Sequence, residues 1–342
     1  MFSIIYILLI DFLTSSSNFL TFSIGGRPKF WKKQLQAPIN DEQFWSSSNW
    51  RDTEEKNWPC DAGNIPLVGD WNYWNRKNGM KTSTDDILLS YLACLSYYNT
   101  SSSINSYADL GCGIGSVLLI VANNLKPSIS YGIEAQYQSY LLLNRTISQI
   151  LEKDSLFLPS ITLLNIDLRK NTLPLNSIEL LTANPPYLSM KTGTLCKDSQ
   201  RRSARFEIRG GVEDYMQTAS KLLRSNGKFF LSFWQQRSGD LRVKKAAESA
   251  SLKIISTTYA YMGDTSVTSP HLAIYEIVHK ESNFPSKLLT LNHSHFHLNL
   301  ISCDSDTDHN PCVYFNLNIT KPSGHSHNHI YLSIKNNLSV KL

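Results

Sequence analysis

The chain has 342 residues, 42% of them hydrophobic, which is ample material for one large core and not obviously for two. Its six cysteines, Cys60, Cys94, Cys112, Cys196, Cys303 and Cys312, form no Cys-x-x-Cys pair, and a chain this long needs no disulfide staples, so reduced thiols in an intracellular compartment are expected. The net charge of +5 is modest and does not by itself mark a nucleic-acid binder, so any basic surface must be local.

Met1 to Ile10 is apolar but too short to span a bilayer, is interrupted by Asp11 and lacks the basic start of a secretory signal. No membrane span is expected. Hydroxyl-rich Thr14 to Thr21 follows, then Arg27, Lys29, Lys32 and Lys33 with no acid before Asp41, a composition that resembles an organelle (mitochondrion or plastid) transit region. Residues 1–30 therefore read as a targeting or disordered arm. Residues 31–75 form a Trp-rich extension with six of the seven tryptophans, which argues against simple disorder and for packing on the domain that follows.

Residues 76–280 carry the catalytic signals. A short strand, Ile104 to Ala108, runs into Asp109-Leu110-Gly111-Cys112-Gly113-Ile114-Gly115, which opens the apolar helix Ser116 to Leu125. Strand, glycine turn and helix make a cradle in which backbone N–H groups approach a nucleotide-like ligand. The next strand, Ile129 to Ile133, ends in Glu134, where a carboxylate can take both ribose hydroxyls of an adenosine cofactor. After a helix from Tyr137 to Glu152, a third strand, Ile161 to Ile166, ends in Asp167, placed to receive an adenine amine. Cys112, between two glycines, reads as packing rather than as a nucleophile.

A fourth run, Ile178 to Ala183, ends in Asn184-Pro185-Pro186-Tyr187. An aromatic or carboxamide amine is a poor nucleophile because its lone pair is delocalised. The Asn184 side-chain oxygen and the Pro185 carbonyl can accept its two N–H bonds and turn the nitrogen towards a methyl donor. Pro185 and Pro186 hold these acceptors in place beforehand, and Tyr187 can stack on an extruded base. The following segment, Lys191 to Arg209, has six basic and two acidic residues, a surface suited to phosphates, with Arg201, Arg202 and Arg205 as candidate contacts.

Helix Val212 to Leu223 and strands around Phe230, Ser256 and Ile274 complete a seven-stranded, mostly parallel α/β sheet with helices on both faces. Lys253 to Tyr261 and His271 to Val278 are separated too briefly for a crossover and should form an antiparallel edge hairpin. Residues 281–342 hold seven of the nine histidines, including His293-x-His295-x-His297 and His325-x-His327-x-His329. Alternate histidines share a strand face and could bind a metal, but methyl transfer asks for none, and the segment reads as a polar extension.

With these residues in view, the chain resembles the Rossmann-like class I S-adenosylmethionine-dependent methyltransferases, and among them the bacterial-type tRNA adenine-N6 methyltransferases. Trp71 to Val278 carries the resemblance, through Gly79-Met80-Lys81-Thr82-Ser83-Thr84-Asp85, the glycine turn, and Asn184 to Tyr187 followed by Arg201 to Glu207. Ser83 stands where the RNA enzymes usually carry glycine. The resemblance implies S-adenosylmethionine held by Asp109, Gly111, Gly113, Glu134 and Asp167, with Thr84 and Asp85 closing over its methionine end. RNA, above all tRNA, is the implied partner. Two alternatives share parts of the pattern: a protein-glutamine N5 methyltransferase, and a cofactor-binding scaffold without catalysis.

Overall fold

The computed structural model describes residues 58–98, 103–153, 160–170, 173–191, 195–235, 239–260 and 270–283, with the backbone of Cys312–Phe315. The expected targeting arm, most of the Trp-rich extension and both alternating-histidine runs lie outside the described residues.

A hairpin comes first. β1 (Ala62–Val68) and β2 (Trp71–Arg76) pair antiparallel around Gly69 and Asp70, with Gly69 in the left-handed region at φ 53°. Trp71 and Tyr73 alternate inward and join Leu67 and Val68 in the main core. Helix α1 (Thr84–Tyr98) then begins with a reciprocal cap. The Ser83 N–H donates to Asp86 Oδ2 at 2.9 Å, and Ser83 Oγ accepts from the Asp86 N–H at 3.5 Å. A glycine at 83 could not supply the second bond, so Ser83 contributes helix capping of its own.

The central sheet alternates strands and helices: β3 (Ser106–Leu110), α2 (Ser116–Leu125), β4 (Ile129–Ile133), α3 (Tyr137–Lys153), β5 (Ser160–Leu164), β6 (Ile178–Ala183), α4 (Ser199–Arg205), α5 (Val212–Leu222), β7 (Leu223–Trp234), α6 (Gly239–Ser249), β8 (Leu252–Ala260) and β9 (Leu272–His279). Strand order is β8-β9-β7-β6-β3-β4-β5, parallel from β7 to β5, with β9 antiparallel to both β7 and β8. That is the class I methyltransferase order. The chain leaves β3 for β4 and β5 on one side, then returns to place β6 on the other. The crevice at this switch point, beyond the carboxyl ends of β3, β4 and β6, is where such sheets bind ligands.

Two apolar layers enclose the sheet. The β1–β2 hairpin, α1, α2 and α3 cover one face through Leu67, Ile87, Leu89, Leu118, Leu119 and Leu142. Helices α5 and α6 cover the other through Met216, Leu222, Val243 and Ala247. Each fully buried aliphatic side chain contributes about 1.5 to 3 kcal/mol, enough across both faces to tolerate buried carboxylates at the site.

Three details differ from expectation. β3 runs on through Asp109 and Leu110, because both still pair with β4 and β6; Asp109 is polar, and the apolar pattern therefore breaks before the ladder does. β5 stops at Leu164, so Asp167 sits on the loop beyond it, ahead of a single 3-10 turn, Leu168–Lys170. An eighth strand, β10 (Cys312–Phe315), adds parallel to β8, so the β8–β9 hairpin lies one strand in from the edge.

Candidate active site

The glycine turn closes tightly on its own fold on one side and stays open on the other. At Gly111, with φ 70°, a Cβ would sit 2.4 Å from the Tyr215 hydroxyl; at Gly113, with φ 57°, it would meet nothing within 4 Å. The open side faces a cavity of about 880 Å³ lined by Asp109, Gly111, Gly113, Glu134, Asp167 and Asn184, within the range of small-molecule sites.

Glu134 reaches back over the turn. Its Oε2 accepts the Gly113 N–H at 2.8 Å and its Oε1 the Gln136 N–H at 2.5 Å, which orients the carboxylate and leaves each oxygen acceptor capacity for a ribose hydroxyl. Burial pushes its pKa up to about 7. Asp109, 2% exposed, accepts from Thr182 Oγ1 at 2.7 Å, and burial raises it to about 8. Asp167 lines the cavity, but both of its oxygens are taken by Arg169, at 2.9 Å to Nε and 2.6 Å to Nη2. Any adenine amine shares that carboxylate with Arg169, a partner that the strand-end position of Asp167 does not announce.

Asn184 lies at the end of β6 with its amide fixed by carboxylates. Nδ2 donates to Asp86 Oδ1 at 2.7 Å and to Asp85 Oδ2 at 3.3 Å. An ionised carboxylate only accepts, so the NH₂ end must face α1 and Oδ1 must face away. Oδ1 receives Ser232 Oγ at 2.5 Å and the Tyr187 hydroxyl. Tyr187 has one proton and three acceptors within reach, because Asp85 Oδ2 and Ser232 Oγ are each also 2.9 Å away. When that proton turns to Asp85, a lone pair on Asn184 Oδ1 becomes available to an incoming amine.

The Tyr187 ring lines the cavity and packs edge-on against Phe233, with centroids 5.5 Å apart at 80°. Hydrogen bonding thus joins the stacking role expected of it. Asp86 is the main addition to the site. It caps α1, orients Asn184, and is raised to about 6 by burial and by the neighbouring Asp85.

Pro185 and Pro186 line the cavity, as do Asp85, Thr82 and Ser83. Thr84, expected over the methionine end, is the first residue of α1 and is not among the lining residues, whereas Thr82 and Ser83 on the loop before it are. At the mouth, α4 presents Arg201 and Arg205, four residues apart on one face, joined by Arg209. Arg202, one step round the helix, does not line the cavity.

S-adenosylmethionine fits this lining. Its sulfonium and ammonium carry positive charge, and Asp85, Asp86, Asp109 and Glu134 supply a strongly acidic surround; burial raises the pKa of Asp86, Asp109 and Glu134, and an arriving cation favours their ionised forms. Among the described residues no cluster of His, Cys, Asp and Glu could hold a metal ion, and no helix is long and apolar enough to cross a membrane.

No family model matches the chain. Over 155 residues, 44% of its length, it is 30% identical to a tRNA1(Val) (adenine(37)-N6)-methyltransferase of Histophilus somni, and over 156 residues it is 27% identical to the protein of the same name in Mannheimia succiniciproducens. The matched region spans 60% and 59% of those relatives. Solved structures of similar shape include a predicted O-methyltransferase of Agrobacterium tumefaciens, at TM-score 0.47 and 16% identity over 75% of this chain and 98% of that one. Another is TYW2 of M. jannaschii in complex with AdoMet, at TM-score 0.42 and 15% identity over 64% of this chain and 87% of that one. The strand order itself assigns the fold: the chain has the Rossmann-like class I methyltransferase architecture, and in sequence it resembles the bacterial tRNA adenine-N6 methyltransferases.

Proposed function

We propose that the chain is an S-adenosylmethionine-dependent methyltransferase acting on N6 of adenine in RNA, tRNA first among candidates. The observation that carries this reading is the Asn184 amide, locked by Asp85 and Asp86 with its oxygen directed away from them, in the same cavity as the glycine turn and Glu134. Asp109, Gly111, Gly113, Glu134 and Asp167 would hold the cofactor, which supplies an electrophilic methyl group on a sulfonium. Asn184 Oδ1 and the Pro185 carbonyl accept the two amine N–H bonds, drawing the nitrogen lone pair out of conjugation and aiming it across the cavity. No general base is required, because the nitrogen becomes acidic once alkylated. The names of the sequence relatives and the Arg201, Arg205 and Arg209 rim support RNA over other amine carriers.

Transfer of labelled methyl to total RNA and total protein in parallel, followed by nucleoside analysis, tests the proposal. N6-methyladenosine is the expected product. Label in protein as methylglutamine would move the assignment to the protein-glutamine enzymes, and no transfer to either would leave a binding scaffold. An intracellular setting is also proposed, supported by the free thiols of Cys60, Cys94, Cys112 and Cys196.

Two smaller effects follow from the geometry. Asp86→Asn replaces an obligate acceptor by a group that can donate or accept, so Asn184 is no longer held one way round. Methylation kcat should fall roughly 5- to 30-fold, about 1 to 2 kcal/mol and towards the low end for one charge-assisted hydrogen bond because the new Asn can still accept, with KM for both substrates within a few fold. A rise in KM with kcat intact would reduce Asp86 to a helix cap. The double change Arg201→Ala, Arg205→Ala should weaken RNA binding and flatten its salt dependence by about 0.7 to 0.9 of a logarithmic unit for each phosphate no longer neutralised. RNA affinity titrated at several salt concentrations decides this, and an unchanged slope would take both arginines out of the RNA site.

A further inference from the structure

Helix α4 is seven residues long, too short to hold itself in place, yet it carries the arginines at the cavity mouth. Its orientation must come from what grips it. At its C-terminal end it is tied to the loop after β6 and to α6: the Leu188 N–H donates to the Arg205 carbonyl at 3.0 Å, the Glu207 N–H to the Leu188 carbonyl at 2.9 Å, and Glu207 pairs with Arg242 at 2.6 Å. Its N-terminal end is gripped from far away in sequence. Asp198 is the N-cap, accepting the Arg201 N–H at 2.9 Å through Oδ1, while its Oδ2 is held by Arg76 Nη1 at 2.9 Å.

Arg76 is the last residue of β2, and its side chain is 11% exposed. The guanidinium is spread over three partners: Asp61 Oδ1 at 2.8 Å within the hairpin, Asp198 at the helix cap, and Gln138 Oε1 at 2.9 Å at the start of α3. Beside it runs a chain of amides linking α4 to the loop after Glu134. Gln136 Nε2 donates to the Ser199 carbonyl at 3.2 Å, Ser139 Oγ donates to Gln136 Oε1 at 2.7 Å, and Gln200 Nε2 donates to Ser139 Oγ at 3.1 Å. Gly79, three residues after Arg76, lies so close to Gln200 that a Cβ would come within 2.1 Å of its Oε1. Arg76 itself does not line the cavity.

We propose that Arg76 is a positioning residue for the substrate side: by pairing with Asp198 it fixes α4 over the cavity mouth and makes the N-terminal hairpin a working part of the site. The substrate named here rests on the RNA reading above; the hold on α4 does not. A planar fork satisfying two carboxylates and an amide at once is a role lysine cannot fill. A partly buried pair of this kind is also costly to break from one side, because the remaining charge is left without its partner.

The test uses the full chain in three variants. Arg76→Met keeps the aliphatic stem and removes the fork, and Arg76→Lys keeps the charge. Asp198→Asn keeps an N-cap but loses the charged partner, without touching the hairpin. Trypsin cleavage after Arg201, Arg202 and Arg205, followed by mass spectrometry, reports the order of α4 directly. Arg76→Met and Asp198→Asn should each speed that cleavage at least about tenfold and raise RNA Kd at least about tenfold, with S-adenosylhomocysteine affinity within about threefold; Arg76→Lys should fall between them and wild type. Cleavage rates within twofold of wild type in both Arg76→Met and Asp198→Asn would overturn the inference. A loss of cofactor affinity equal to the loss of RNA affinity would also overturn it, by making Arg76 a tie of the whole fold. If wild type binds no RNA, the RNA reading fails, and the trypsin arm alone still decides whether Arg76 holds α4.

Discussion

Asn184→Ala is expected to lower the methylation rate at least about a hundredfold, the scale seen when one preorganised hydrogen-bonding group is removed, while S-adenosylhomocysteine affinity stays within a few fold. The separation arises because Asn184 belongs to the amine side of the cavity. Its bonds run to Asp85, Asp86, Tyr187 and Ser232, and none runs to the glycine turn or to Glu134. Truncation also leaves the Asp86 carboxylate without a donor it has in the native protein, so some stability is lost as well. Melting temperature and cofactor calorimetry on the same preparation separate that loss from the catalytic one. A folded variant with normal cofactor affinity and full activity would overturn amine polarisation as the mechanism.

The parts of this site that can be read from the chain are those in which a short stretch carries its own geometry. Asn184 to Tyr187 and Gly111 to Gly115 each need only a few consecutive residues to define a turn and its acceptors or N–H groups. The helix from Ser116 is legible because Val117 to Ala122 form one continuous buried apolar run, and the strand Ile129–Ile133 because Ile129, Tyr131 and Ile133 alternate along it. What is not legible is the set of long-range partners. Asp86 meets Asn184 across 98 residues and Ser232 meets it across 48, and no local pattern links them.

The β1–β2 hairpin does have a signal, Gly69-Asp70 between two short runs of which the second alternates inward at Trp71 and Tyr73, but the density of tryptophans there speaks more loudly as composition than as strand. Thr84 departs from its expected place for a different reason. A motif transfers a stretch, and only the phase of the helix that follows decides which of its residues face the ligand. Asp167 shows the same limit, because Arg169, two residues on, occupies the carboxylate assigned to adenine.

Glu134→Ala is expected to weaken cofactor binding by about 2 to 4 kcal/mol, roughly 30- to 800-fold in Kd, through loss of two partly charge-assisted bonds to ribose. The raised pKa of Glu134 adds a pH signature. A carboxylate can accept from both hydroxyls, whereas the protonated acid gives up part of that capacity, so binding favours the ionised form. With the ligand-free group at about 7, wild-type affinity should fall as pH drops below 7 and level off well above it. Asp86 at about 6 and Asp109 at about 8 titrate in the same window, and for that reason the decisive comparison is Glu134→Gln, in which only this titration is removed.

Stability should move the opposite way. The folded-state pKa of Glu134 lies above its unfolded value of 4.5, so the folded protein binds the extra proton between 4.5 and about 7, and the ligand-free wild type loses stability as pH rises through that range. The Gln variant lacks that titration, although its NH₂ end cannot accept one of the two backbone N–H groups that the carboxylate takes, so its melting temperature should fall less than that of wild type between pH 6 and pH 8 while it binds cofactor less well. Calorimetry with S-adenosylhomocysteine at pH 6, 7 and 8, beside thermal melts of both ligand-free proteins, measures both signs. A Gln variant with wild-type affinity and wild-type pH dependence would place the ribose elsewhere in the cavity.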